Sequence, residues 1–207
     1  MVRVQSKTIL DLNFKLYIKC LLGSQNFTFV NNIAQNIKND NILIDAKSLY
    51  FLVFHFRFSS LFYSTQLNEM LTYEVMSSHS VGTKPNLNRG VSTLVVYNFH
   101  LLNTQNRFFI FLQASTNFTP GSHKFSTNNS TLLSITELFS AANWLERELS
   151  ELHGVSFSGK KDLRNLMLQY GDSTAPFQKS FPSIGMTEMY YNPIKDTIVQ
   201  NPISVQI

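Results

Sequence analysis

The chain reads as α+β: a mixed sheet packed against helices and followed by a long extended C-terminal tail. Three observations lead to this class. Two strongly β-prone runs, 91 to 101 and 107 to 113, flank the short polar turn Asn103-Thr-Gln-Asn106, which predicts a hairpin. The stretch ending at Gly154 places Phe139, Ala142, Leu145, Leu149 and Leu152 three or four positions apart, with Leu138 beside the first, which predicts an amphipathic helix. Beyond it, Gly171, Pro176, Pro182, Gly185, Pro193 and Pro202 interrupt every periodic pattern, while Phe177, Phe181, Met186, Met189, Tyr190, Tyr191, Ile198, Val199 and Ile203 keep the segment apolar. A tail of that composition is too apolar for a solvated coil and needs a surface to lie on.

Taken in order, residues 8 to 22 carry Ile9, Leu12, Leu16 and Cys20 at helical spacing and stop at Gly23, which predicts the first helix. Phe27 to Val30 and Ile42 to Ile44 are short strand candidates on either side of an Asn-rich stretch read as loop or weak helix. From Ala46 to Phe58 apolar residues crowd all round; the run exceeds normal strand length and is read as helix. Leu61 to Tyr63 and Leu71 to Met76 are strand candidates, followed by a loop-rich stretch that ends near Pro85-Asn86. After the hairpin comes a polar linker, 115 to 131, containing Pro120-Gly121, and then Ser134 or Thr136 as the cap of the amphipathic helix. A short helix is expected over Asp162 to Leu168. The divisions are 1–40 as an N-terminal helical or extension region, 41–158 as the α/β core, and 159–207 as the extended C-terminal segment.

Composition narrows the function classes. Of the 207 residues only 14% are charged, whereas Phe (18) and Asn are over-represented, a bias that an AT-rich genome such as a mitochondrial one produces without selection on function. The net charge of +4 would permit an acidic partner, but Lys and Arg form no dense run and the last third carries more acids than bases, which argues against a nucleic-acid binder. Cys20 is the single cysteine, so no disulfide, zinc cluster or iron–sulfur site can be assembled from this chain's cysteines. The longest apolar stretch, Leu49 to Phe54, is far short of the roughly 20 residues that span a bilayer.

Local catalytic patterns are missing from the sequence. His55, His79, His100, His123 and His153 are scattered, and neither Gly-x-Gly-x-x-Gly nor a Walker sequence occurs. Glu146, Glu148 and Glu151 could suggest acid–base work, yet Glu146 and Glu148 point apart on a helix while Glu148 and Glu151 share a face. Arg147 and Glu151, four apart, suit an ion pair. The favoured reading is a charged helix face with one partly buried pair orienting the C-terminal segment. Trp144 is open to two readings, core residue or surface anchor.

The run Ala141-Ala-Asn-Trp-Leu-Glu-Arg-Glu148, continued by Leu149-Ser-Glu-Leu-His-Gly-Val155 and Phe157-Ser-Gly159, resembles the thirty-kilodalton subunit of respiratory complex I, the NADH dehydrogenase subunit 9 family. Asp162-Leu-Arg164, Tyr170-Gly171, Pro176, Lys179, Phe181-Pro182 and Gly185 follow in the family's order, and Val95-Val-Tyr-Asn98 with Asn106-Arg107 resembles its strand pair more weakly. Departures occur at Glu151, His153, Lys160-Lys161, Gln169, Gln178 and Ser180, where the family usually has Asp, an apolar residue, His-Pro, Asp, Arg and Asp.

The resemblance implies a scaffold subunit of the peripheral arm of mitochondrial NADH:ubiquinone oxidoreductase, a proton-translocating complex, on the matrix side of the inner membrane and encoded in the mitochondrial genome. It implies no catalytic, metal or cofactor site in this chain, with FMN and iron–sulfur clusters in partner subunits and the quinone-site subunits as the closest neighbours. Nucleic acid is not an implied partner. An interface or scaffold role is thereby expected for Trp144, Glu146, Arg147, Glu148, Asp162, Arg164, Tyr170, Lys179, Phe181 and Pro182. The alternatives are an organellar ribosomal or RNA-binding protein, or the equivalent subunit of a related membrane-bound hydrogenase.

Overall fold

The computed structural model describes residues 15–22, 27–30, 40–60, 62, 64–76, 91–102, 106–114, 132–170 and 175–203. Helix α1 covers residues 15–22, followed by strands β1 (Phe27–Val30) and β2 (Asp40–Ile44), helix α2 (Ala46–Phe58) and strands β3 (Thr65–Met76), β4 (Val91–Leu101) and β5 (Asn106–Ala114). Strand β6 (Leu132–Leu133), helix α3 (Ala142–His153), strand β7 (Phe157–Ser158) and the pair β8 (Thr187–Asn192) and β9 (Thr197–Pro202) complete the order. The expected start of the first helix at 8–14, the loop around 77–90, the linker 115–131 and Gly171 lie outside the described residues.

A five-stranded sheet in the order β1-β2-β5-β4-β3 forms the frame. It is mixed, because β2 runs parallel to β5 while the other neighbours are antiparallel. Alternation along the strands sorts its faces. Ile42, Val95, Tyr97, Phe99, Phe108, Ile110 and Leu112 point to the side where the helices lie, in one core with Ile18, Leu49, Leu52, Val53, Phe56, Phe139, Ala142 and Leu149. The intervening residues Leu43, Phe111, Val96 and Leu71 stand opposite one another across four strands on the other face.

Helix α2 resolves an ambiguity of the sequence. Leu49, Leu52, Val53 and Phe56, spaced by three, one and three, are buried, so the core takes one helical stripe and leaves Phe51, Phe54 and Phe58 outside. Phe56 is the hub of the aromatic packing, with ring centroids 5.4 Å from Phe62, 6.0 Å from Phe99 and 5.1 Å from Phe108. These tilted and edge contacts suit the aromatic quadrupole and add to the burial of several large side chains.

Four expectations are corrected. The strand ending at Met76 starts at Thr65 and runs twelve residues; a bulge between Leu67 and Glu69 shifts the register once and hides the alternation. Phe62 lies in a turn, its carbonyl accepting from the Thr65 N–H at 2.9 Å, and Leu61 and Tyr63 are outside the described residues. Neither Ser134 nor Thr136 caps α3: residues 135–141 make tight turns, with the Leu138 and Phe139 amides on the Ile135 carbonyl, and the helix begins at Ala142. No helix forms over 162–168, for a reason given below.

The segment after residue 159 is not uniformly extended either. Residues 175–181 form turns, and β8 and β9 pair antiparallel from Thr187↔Pro202 to Asn192↔Thr197. Pro193 starts the connection, the Ile194 N–H donates to Asn192 Oδ1 at 3.0 Å, and Asp196 takes a positive φ of 52°.

Candidate functional site

The charged run of α3 and the loop that follows it form one network. The cause lies in the helix period: Ala142, Glu146 and Leu149 fall on one stripe and all three are buried, so Glu146 is carried into the core by its neighbours. Its side chain is 0% exposed. An isolated buried carboxylate is prohibitively unstable. Here Oε1 accepts from the Ile135 N–H at 2.9 Å, and Oε2 accepts from Ser134 Oγ at 2.7 Å and from Lys160 Nζ at 3.3 Å.

Lys160, whose side chain is 2% exposed, also donates to the Asn143 carbonyl at 2.8 Å. Burial lowers its pKa, and the Glu146 carboxylate pulls it back upward. Tyr97 lies on the sheet within reach of the same charge, and burial, reinforced by Glu146, pushes its phenol well above the ordinary value.

The next residue, Arg147, points about 100° round the helix from Glu146 and binds the following loop. Its Nε donates to the Arg164 carbonyl at 2.8 Å and its Nη2 to the Asn165 carbonyl at 3.1 Å, with Asp162 at 3.7 Å. The expected Arg147–Glu151 pair is therefore replaced. Glu151 instead accepts from three successive backbone amides, those of Leu166, Met167 and Leu168. Loop carbonyls are taken by a guanidinium and loop amides by a carboxylate, so the backbone of 164–168 has its partners without becoming helical.

Asp162 and Arg164 form a bidentate pair, both bonds 2.9 Å, which together with the Arg164 amide holds the Asp162 carboxyl well below the usual carboxylate range. Arg147, Glu151, Lys160, Asp162 and Arg164 line a cavity of about 50 Å³, room for little more than ordered water.

The tail root closes the other end of α3. Gly154 has φ +70°, the left-handed turn that ends the helix, and the freed carbonyls find partners in the tail. The Phe177 N–H donates to the Leu152 carbonyl at 2.9 Å and Gln178 Nε2 to the His153 carbonyl at 3.0 Å. His153 meets Phe177 edge to face at 5.4 Å; burial lowers its pKa against the upward pull of Glu74 and Glu148. Lys179 donates its amide to Glu74 Oε2 at 3.0 Å and its ammonium to the Glu74 carbonyl at 3.1 Å.

The structure thus gathers Glu146, Arg147, Asp162 and Arg164 into one network and puts Lys179 at the tail root. Trp144 is 64% exposed, which removes the core reading, and Tyr170 and Pro182 are exposed as well. Glu148 and Phe181 are half-buried. Sequence reasoning missed Lys160, Ser134 and Gln178 as partners, and paired Glu151 with Arg147 where the structure gives it the loop amides. Only Glu151 carried a local signal, its position on the outer helix face near a following loop. No group of three or more His, Cys, Asp or Glu side chains suited to a metal occurs among the described residues. Among them no helix is long and apolar enough to cross a membrane.

These observations define an α+β chain whose charged motif is committed to binding its own backbone and fixing the start of an apolar C-terminal segment. Residues 57–187 match the family described as respiratory-chain NADH dehydrogenase, 30 Kd subunit, and the chain belongs to that family. It is 44% identical over 101 residues to NADH-ubiquinone oxidoreductase subunit 9 of Paramecium primaurelia, a match covering 48% of this chain and 45% of the relative. Over 73 residues it is 42% identical to an NADH-quinone oxidoreductase subunit of the bacterium Polynucleobacter asymbioticus, covering 35% of this chain and 37% of the relative. The chain thus spans less than half the length of these curated relatives. Its fold is similar to a chain of the membrane-bound sulfane sulfur reductase, an archaeal respiratory membrane complex, with TM-score 0.55, 12% identity, and coverage of 83% and 86%.

Proposed function

We propose that this chain is a non-catalytic scaffold subunit of the peripheral arm of mitochondrial NADH:ubiquinone oxidoreductase, on the matrix side of the inner membrane. In this reading FMN, the iron–sulfur clusters and the quinone site belong to neighbouring subunits, and this chain contributes to NADH oxidation and proton translocation only by holding them in place. Trp144, Tyr170, Phe181 and Pro182 contact neighbours directly, whereas Glu146, Arg147, Asp162, Arg164 and Lys179 shape the segments that do.

One observation carries the proposal. Met186, Met189, Tyr190, Tyr191, Ile194 and Ile198 are all at least about half exposed on or beside a two-stranded hairpin. An isolated hairpin is marginal in water, and apolar side chains exposed on both of its faces mark a site of association. Packing it against another subunit removes that surface from water and fixes the two bodies at a set separation.

The test is purification of the native protein from membranes in mild detergent, with partner identification by mass spectrometry and an NADH:quinone activity assay. Co-migration with flavin and iron–sulfur subunits in an active complex is expected. Isolation alone, or with ribosomal proteins, overturns the reading.

A further inference from the structure

Helix α2 turns a ridge of rings outward. Phe51, Phe54 and Phe58 are 49%, 42% and 66% exposed, and their positions, with His55, follow the i, i+3, i+4, i+7 spacing of one helix face. The rings interlock: Phe54 and Phe58 lie 4.5 Å apart, Phe51 meets His55 edge-on at 4.5 Å, and Phe54 meets it at 6.1 Å. From Phe51 to Phe58 the ridge runs about 10 Å along the axis. None of its residues belongs to the α3 network or to the C-terminal hairpin.

The charges around the ridge are one-sided. Lys47 and Arg57 stand exposed near its two ends, Arg57 with its guanidinium also 5.8 Å from the Phe139 ring centroid, and α2 contains no Asp or Glu. Asp45, immediately before α2, is the one carboxylate close by in sequence with a described side chain. A second copy of this chain would set cations against cations, and the chain's own residues 1–14, with Arg3 and Lys7 against Asp11, are not complementary either. A lipid surface is a poor fit, since the opposite face of α2 is buried in the protein core and only two cations flank the rings.

Resting on the subunit role proposed above, we propose that the aromatic ridge of α2 seats an amphipathic helix of another subunit, one with an aliphatic groove flanked by acidic residues. A ridge of side chains spaced by three and four fits the groove between corresponding rows of a second helix. Carboxylates beside that groove meet Lys47 and Arg57, which set its register.

The experiment uses the native complex in membranes and the full-length free chain. Zero-length carbodiimide coupling is followed by peptide mass spectrometry, and hydroxyl-radical footprinting compares Phe51, Phe54 and Phe58 in the two states. Lys47 is expected to join an Asp or Glu in a helical segment of a different subunit, and oxidation of the three rings to fall by about fivefold on assembly, since an interface core excludes water. Coupling of Lys47 to Asp11 of the same chain, coupling between two copies, or ring oxidation unchanged by assembly overturns the proposal. Protection that disappears when lipid is removed from the intact complex assigns the ridge to the membrane and overturns it too. If the chain is absent from the purified complex, the subunit role itself has failed, a result read from composition before any coupling is done.

Discussion

Replacing Glu146 by Gln tests whether the α3 network is held by charge or by shape. Gln fills the same volume, so packing against Ala142 and Leu149 survives. Its carbonyl can still accept from the Ile135 amide, but its NH2 then points at a serine hydroxyl and at an ammonium, and Lys160 keeps the Asn143 carbonyl at 2.8 Å and the face of the Phe157 ring at 6.0 Å. With the Lys160 side chain 2% exposed, water cannot replace the lost carboxylate. Removing one member of a buried pair costs about 3–5 kcal/mol, and the isosteric change belongs at the low end, about 3 kcal/mol. That lowers the folded-to-unfolded ratio roughly a hundredfold. Urea denaturation of the full-length chain should show the midpoint falling at unchanged slope. The double variant Glu146→Gln with Lys160→Met removes both charges and should recover to within about 1 kcal/mol of the parent. A cost below about 1 kcal/mol for the single variant, or a double variant no better than the single, would refute the argument.

Three further outcomes follow from the same geometry. Because the His153 pKa is depressed, the unfolded chain binds the extra proton first; its stabilising share is complete above about pH 6.5 and is lost as pH falls toward the folded value. His153→Leu should flatten the stability profile between pH 5 and 7, and an unchanged slope would count against the buried imidazole. Gly154→Ala meets both a φ of +70° and Gln178 Nε2 only 2.8 Å from the new Cβ, so it should cost about 1–2 kcal/mol in backbone strain plus about 1 for the displaced hydrogen bond, read from thermal unfolding. Arg147→Glu sets a carboxylate against the carbonyls of Arg164 and Asn165 and against Asp162; limited proteolysis should then cut within 160–168, and assembly into the native complex should fall without altering the chemistry of the complex that forms.

Much of the sheet was legible because β4 and β5 alternate cleanly, Val95, Tyr97 and Phe99 facing the helices and Phe108, Ile110 and Leu112 opposite them. β3 was not, because its polar residues Gln66, Asn68 and Glu69 surround a bulge that breaks the alternation near its start. The parallel pairing of β2 with β5 joins residues more than sixty positions apart, and no local pattern encodes such a partner. The hairpin β8–β9 escaped notice because both of its faces are exposed, which erases the contrast that marks a strand, and because Pro193 and Pro202 read as breaks.

At the site, the buried position of Glu146 was readable from its spacing to Ala142 and Leu149, although the pair expected on this helix was Arg147 with Glu151. The identity of its partner was not, since Lys160 lies fourteen positions away on a loop. The expected helix at 162–168 failed for the same kind of reason. Arg147 and Glu151 satisfy that backbone from outside, and a propensity argument sees only the residues of the loop itself.

The anchoring of residues 177–179 to the end of α3 and to Glu74 also sets a kinetic term. The apolar hairpin begins only eight positions after Lys179, so its search is confined to a small volume around a fixed point. In the subunit role proposed above, a partner surface engaged by the body of the chain would meet the hairpin at an effective concentration on the order of millimolar, and the second contact would close as an intramolecular event. Cutting the bonds from Gln178 and Lys179 would leave every hairpin residue in place and still slow that closure, because the lost quantity is proximity and not contact area.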